Sequence, residues 1–173
     1  SSVVVGSFQK DGVGWGKGNE PKLIKGPDIF LDTLKLLNED IGDLYVLLTG
    51  PSRGYIKNGL NKLNIPFKHV YTDNYIEIAK FYSMLDLYII TAREEGGPKS
   101  VLESMASGIP LVSTPVGQAF DMIKNNVNGF LSTSWSPDEL RTLSLKAINK
   151  KDEFKINSRL TAESHDYMKQ KDL

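Results

Sequence analysis

The densest chemistry in the chain lies in Arg93-Glu94-Glu95-Gly96-Gly97-Pro98-Lys99-Ser100-Val101-Leu102-Glu103. Gly96 and Gly97 let a backbone come close to a ligand. Pro98 suits the first turn of a helix, and the free N–H groups of a helix start form a site for anions or hydroxyls. Glu95 stands just before that start, and Glu103 lies roughly one and a half turns inside it. Ser100 and Glu103, three apart, share a helix face. Two carboxylates spaced in this way can each accept from a pair of hydroxyls, on two different sugar rings. Taken singly, Glu94 and Glu95 also suit a helix dipole, and Glu103 a solvated face.

Cations come from other segments. Lys25 in Pro21–Asp28 sits beside a helix start at Pro27, where an ammonium meets a phosphate as a point charge. Arg53, after Gly50-Pro51, is a second candidate. Either also reads as an ordinary solvated side chain. In Thr114-Pro115-Val116-Gly117-Gln118, Gly117 permits a tight approach, although the stretch also fits a plain strand-to-helix turn.

These residues need elements to hold them. The β-branched run Ser2–Val5, stopped by Gly6, predicts a first strand. Gly12, Gly14, Gly16 and Gly18 then punctuate a loop over Gln9–Lys25. Further strands are expected at Leu44–Thr49, Phe67–Tyr71, Leu87–Thr91, Leu111–Thr114 and Phe130–Ser132. Helical spacing predicts helices from Pro27 to Glu39, over Ile56–Leu63, over Tyr75–Leu85 with Ile76, Ala79 and Phe81 inward, over Pro98–Ser107, near Phe120–Lys124, and over Asp138–Asn149. Strands alternate with helices, and most strands are continuous apolar runs, as in a parallel sheet buried on both faces. The expectation is a doubly wound, Rossmann-like α/β domain with helices on both faces and ligands at the carboxyl ends of its strands.

The 173 residues suffice for one domain with a full core. Lys plus Arg and Asp plus Glu are 21 each, so the basic excess of a nucleic-acid binder is missing and no nucleic-acid partner is expected. No apolar run approaches the ~20 residues of a membrane span, and no signal peptide is recognisable in a chain that opens at Ser1. With no Cys and two His, thiolate sites, disulfides and His-rich metal sites are out. Gly12–Gly18 does not fit G-x-G-x-x-G, and Lys17 is not followed by Ser or Thr, so a P-loop fails. There is no D-x-D pair and no G-x-S-x-G elbow.

Three stretches resemble the donor-binding domain of retaining GT-B glycosyltransferases of the family-four group. They are Val5-Gly6-Ser7-Phe8, Lys25-Gly26-Pro27-Asp28-Ile29-Phe30, and Glu95 through Gly108, whose two glutamates fit that family's E-x7-E motif. Met105-Ala106-Ser107-Gly108-Ile109-Pro110 and Asn128-Gly129-Phe130-Leu131 extend the match, which covers roughly residues 2–150. The resemblance implies one half of a GT-B fold: a nucleotide-sugar domain over 1–150, and a helical segment over 151–173 leading toward an N-terminal acceptor domain not present in this chain.

It also implies roles. Lys25 contacts the donor diphosphate, Glu95 and Lys25 are the catalytic pair, and Gly6 and Ser7 border the phosphates. Gly96, Gly97, Pro98 and Lys99 surround the sugar, Pro98 by shape alone. Ser100 and Val101 lie near the phosphates, Glu103 accepts from the ribose, and Tyr71 and Thr72 border the base. Ser7 departs from the pattern, standing where the family usually has Arg; Arg53 is the candidate to compensate. The loop Gln9–Asn19 is longer than the family's, as a lid over the phosphates or a surface excursion.

The expected reaction is retaining, metal-independent transfer from a UDP- or GDP-sugar to a saccharide or lipid-linked acceptor, with no cofactor. The setting implied is cytoplasmic, with a peripheral place at the inner membrane face open to the full-length protein. The isolated chain is expected to be inactive. The rival readings are a non-catalytic module for a phosphorylated ligand, and a GT-B relative of another activity such as a nucleotide-sugar epimerase or a glycogen phosphorylase relative.

Overall fold

The computed structural model describes residues 2–97 and 99–165. Six strands form one sheet: β1 Val3–Phe8, β2 Leu44–Thr49, β3 Phe67–Val70, β4 Leu87–Ile90, β5 Leu111–Ser113 and β6 Phe130–Leu131. Every pairing is parallel, in the order β3-β2-β1-β4-β5-β6. The helices are α1 Pro27–Ile41, α2 Gly54–Lys62, α3 Tyr75–Ser83, α4 Lys99–Ala106, α5 Ala119–Met122, α6 Pro137–Asn149 and α7 Lys151–Ser164. The doubly wound, Rossmann-like α/β architecture expected from the alternation is the one observed.

The period of two along each strand divides the core. Val46, Leu48, Leu87 and Ile89 face one side, with Leu34 of α1, Ile56 of α2 and Leu140 of α6. Leu47, Tyr88 and Ile90 face the other, with Tyr82 of α3 and Val101 and Met105 of α4. Phe154 of α7 is fully buried in the first cluster, while α7 also packs along α4. Asn128 anchors that arrangement: its buried amide donates to the Met122 carbonyl at 2.9 Å and to Thr161 Oγ1 of α7 at 3.0 Å. Of the helical segment expected over 151–173, residues 166–173 lie outside the described residues.

Strand order reverses between β1 and β4, which each begin a run outward in opposite directions. The chain therefore leaves these two strands toward opposite faces, and a crevice opens between their carboxyl ends. Two details differ from expectation. β1 does not stop at Gly6 but runs to Phe8, because its six-residue register with β2 supplies partners across the glycine. In α3 Phe81 faces inward as expected, but Ile78 and Tyr82 join it in place of Ile76 and Ala79; Ile76 is 71% exposed. Tyr82 meets Phe8 of β1 and Tyr88 of β4, a stripe that local spacing alone did not select.

Candidate functional site

A cavity of 640 Å³ opens at that crevice. One wall is the segment after β4. Its anchor is Gly26, at φ 65°, where a Cβ would come 1.8 Å from the Thr91 carbonyl oxygen. Thr91 Oγ1 donates to the Gly26 carbonyl at 2.8 Å. Arg93 grips Asp28 through two bonds of 2.8 and 2.7 Å and reaches the Leu23 carbonyl at 2.6 Å. Hydrogen bonds from Arg93, ahead of an opposing effect of burial, hold the Asp28 carboxyl below its ordinary value. The turn before α1 is thereby clamped to the loop after β4, and Lys25 meets Glu95 in an ion pair, both side chains 23% exposed. Gly117, at φ 44°, closes the wall: a Cβ there would meet the carbonyl oxygens of Glu95 and Gly96 at 2.3 and 2.4 Å.

Glu95, Gly97, Lys99 and Ser100 line the cavity with Glu103. Lys99 and Ser100, which open α4, thus stand at the same space. Glu103 does not swing freely. Tyr82 donates its hydroxyl to Glu103 Oε2 at 3.0 Å, and burial first, then neighbouring Tyr88 and Glu103, pushes the Tyr82 phenol well up. Tyr82 packs edge-on to Phe8 at 4.7 Å between centroids. Phe8 in turn meets Tyr88 at 5.5 Å, and the Phe8 amide donates to the Tyr88 hydroxyl at 2.9 Å. This aromatic floor fixes the carboxylate. No sequence motif points to Tyr82; the signal lay only in its place on the inward stripe of α3.

The opposite wall comes from the ends of β1, β2 and β3. Tyr71 and Thr72 line the cavity together with Asp73. Lys10, Trp15 and Lys22, which sequence reasoning did not single out, line it as well. Other candidates sit elsewhere. Gly6 and Ser7 lie within β1, outside the cavity lining, and Ser7 is buried. Gly96 is exposed but not part of the lining, the Val101 side chain is in the core, and Pro98 lies outside the described residues.

Arg53 is placed beneath the floor rather than in the cavity. Its side chain is 0% exposed, as is that of its ion-pair partner Asp11, 2.9 Å from its Nε. Its terminal nitrogens donate to the Ser7 carbonyl at 2.7 Å, the Thr49 carbonyl at 2.6 Å and Ser7 Oγ at 3.0 Å. Burial pushes Asp11 up and Arg53 down toward their neutral forms, and the ion pair opposes both shifts. The guanidinium ties the ends of β1 and β2 together and does not reach the ligand space expected of it.

The family model described as "Glycosyl transferases group 1" matches residues 21–165. An uncharacterised glycosyltransferase of Methanocaldococcus jannaschii is 27% identical over 132 residues, covering 72% of this chain and 35% of that protein. The lipopolysaccharide core biosynthesis mannosyltransferase LpsB of Rhizobium meliloti is 29% identical over 106 residues, 57% of this chain and 30% of that protein. The chain thus spans about a third of the curated relatives it matches. Among solved structures, S. aureus TarM with bound UDP superposes with a TM-score of 0.76 at 20% identity, covering 94% of this chain and 34% of that one. Anabaena HepE in complex with UDP-glucose superposes at 0.75 and 21% identity, covering 95% and 44%. No helix among the described residues is long and apolar enough to cross a membrane.

Proposed function

The chain belongs to the glycosyl transferases group 1 family, and on that premise we propose that its cavity holds a nucleoside-diphosphate sugar for a retaining transferase of the family-four type. The observation that carries the reading is the meeting of Lys25, Glu95, the α4 N-terminus and Glu103 on one wall of a single cavity at the switch point. The neighbours that bind UDP and UDP-glucose support it at the level of ligand class.

In this reading Lys25 faces the diphosphate. An ammonium has three donors, so Lys25 can keep Glu95 and still offer a proton to a phosphate oxygen. Glu95 lies by the transferred sugar, accepting from its hydroxyls and stabilising positive charge at the anomeric carbon. Glu103, oriented by Tyr82, accepts from the ribose diol, and Tyr71 and Thr72 border the base. In the whole enzyme the bond from the anomeric carbon to the diphosphate oxygen breaks. The acceptor oxygen bonds that carbon on the same face, and its proton leaves with the diphosphate. Charge growing on the leaving group falls on Lys25 and the α4 amides, so protein groups rather than a metal ion carry the electrostatic stabilisation. The acceptor is a saccharide or lipid-linked hydroxyl, brought by an N-terminal domain of the same protein.

The test is a thermal-shift panel of UDP, GDP, ADP and their sugars, since a ligand of the folded state must raise its melting temperature. A rise with one nucleoside diphosphate and its sugar, with product of retained anomeric configuration from the full-length protein, is expected. No shift with any of them overturns the reading. Full-length activity that vanishes with EDTA and returns with a divalent ion overturns its metal-free part.

A further inference from the structure

The cavity carries more positive charge than the Lys25–Glu95 pair uses. Lys25 is already partnered by Glu95, whereas a diphosphate brings more than one negative charge to neutralise. Lys10 and Lys22 also line the cavity, and neither forms an ion pair among the described residues. Both belong to the glycine-rich segment between β1 and α1, far apart from Lys99 in sequence.

That segment is a built hairpin. The Val13 amide donates to the Glu20 carbonyl at 2.9 Å and the Lys22 amide to the Asp11 carbonyl at 2.8 Å, around a bridge between Gly12 and Pro21. Pairing across the hairpin sets Lys22 opposite Asp11, the residue after Lys10, at its base. The buried Asp11–Arg53 ion pair holds that base to the ends of β1 and β2. The far arm is docked as well. Gly54 and Tyr55, opening α2, donate to the Lys17 and Gly18 carbonyls at 2.8 Å each, and Ser52 Oγ donates to Gly14 and Gly16 at 3.0 and 3.1 Å.

Trp15 is presented from this held loop. It is 80% exposed, lines the cavity, and carries the Lys10 ammonium 3.6 Å above its ring centroid. Such a contact orders an otherwise mobile four-carbon side chain.

Resting on the donor reading above, we propose that this hairpin supplies the second cationic contact to the donor diphosphate, through Lys10 and Lys22, with Trp15 as the positioning residue for Lys10. Arg53 then serves the ligand at one remove. It fixes Asp11, which follows Lys10 in the chain and takes the Lys22 amide across the hairpin.

The test is calorimetric binding of UDP, GDP, ADP and the matching nucleosides to this chain at low and moderate salt. Lys10→Ala and Lys22→Ala are each expected to weaken diphosphate binding about fivefold, and the double variant about 20-fold. Nucleoside binding stays constant, and the salt dependence of diphosphate binding becomes shallower. Lys62→Ala, on the exposed end of α2 outside the cavity, controls for net charge and changes nothing. Trp15→Ala reproduces the loss of Lys10→Ala, adds nothing to it in combination, and Trp15→Phe restores most of the binding. Double-variant binding equal to wild type, or an equal loss of nucleoside, overturns the proposal. A Trp15→Ala loss shared by nucleosides shows the ring stacking on the base and overturns its positioning role. Wild type that binds none of UDP, GDP and ADP overturns the donor reading itself, and this proposal with it.

Discussion

The wall after β4 and the wall after β1 both bring charge to one cavity, but they are built from different material. The first is a helix start: Glu95, Lys99, Ser100 and Glu103 lie within nine residues, and α4 sets the spacing of the last three. The second is a glycine-rich hairpin with little secondary structure of its own, held by a buried ion pair and by bonds from the α2 N-terminus. A helix carries its side chains to a site by local geometry. A long loop whose own backbone pairs only around Gly12 and Pro21 has to be pinned from outside as well. Here the pin is a charge pair that water does not reach.

That contrast breaks most readily at Arg53. Removing one partner of a buried pair strands the other charge, at about 3–5 kcal/mol. Arg53→Ala is expected to lower the stability measured by denaturant unfolding by that much, far more than a typical surface substitution. A loss below about 1 kcal/mol would mean that the hairpin is not held by charge.

On the helical wall, Lys25→Ala is expected to weaken nucleoside-diphosphate binding about tenfold or more while leaving nucleoside binding and stability nearly unchanged. Isothermal titration of both ligands checks this. Equal losses for the two would move the phosphate away from Lys25.

A comparable or somewhat smaller effect belongs to Glu103. Glu103→Gln keeps the shape and removes the charge that would accept from a ribose diol, and about a tenfold loss is expected. A 2′,3′-dideoxy nucleotide is expected to be indifferent. Tyr82→Phe, which only unlocks the carboxylate, should cost about threefold in the same titration. If Tyr82→Phe is silent while Glu103→Gln is not, the aromatic floor has no part in orienting the acid.

The smallest effect is a pH signature of the brace that clamps the turn before α1 to the loop after β4. Asp28 titrates below its ordinary value because Arg93 bonds its ionised form. Its contribution to stability is therefore complete above the unfolded carboxylate value and is lost as pH falls through the lower folded one. Asp28→Asn should be less stable than wild type near neutrality, and the gap should close in acid. Melting temperatures of the two proteins across that range decide it, and a gap that widens in acid contradicts the assigned role.

Local sequence determined the order of the elements, the parallel character of the sheet and the helical wall. Apolar runs, Pro27 and Pro137 at helix starts, and the spacing of Glu95 and Glu103 are short-range features, and each is physically decided within a few residues. What pairs across long separations was decided only by the fold. Val3 to Phe8 became one strand because β2 offered register past Gly6. Tyr82, not Ile76, turned inward because Phe8 of β1 and Tyr88 of β4 receive its ring. Arg53 left the ligand's side because Asp11, 42 residues away in sequence, gave it a buried partner. Lys10, Trp15 and Lys22 became neighbours of the cavity because a hairpin with no periodic signal was docked by α2. Side chains whose environment comes from distant chain carry no local mark of it, and the second wall consists almost entirely of such side chains.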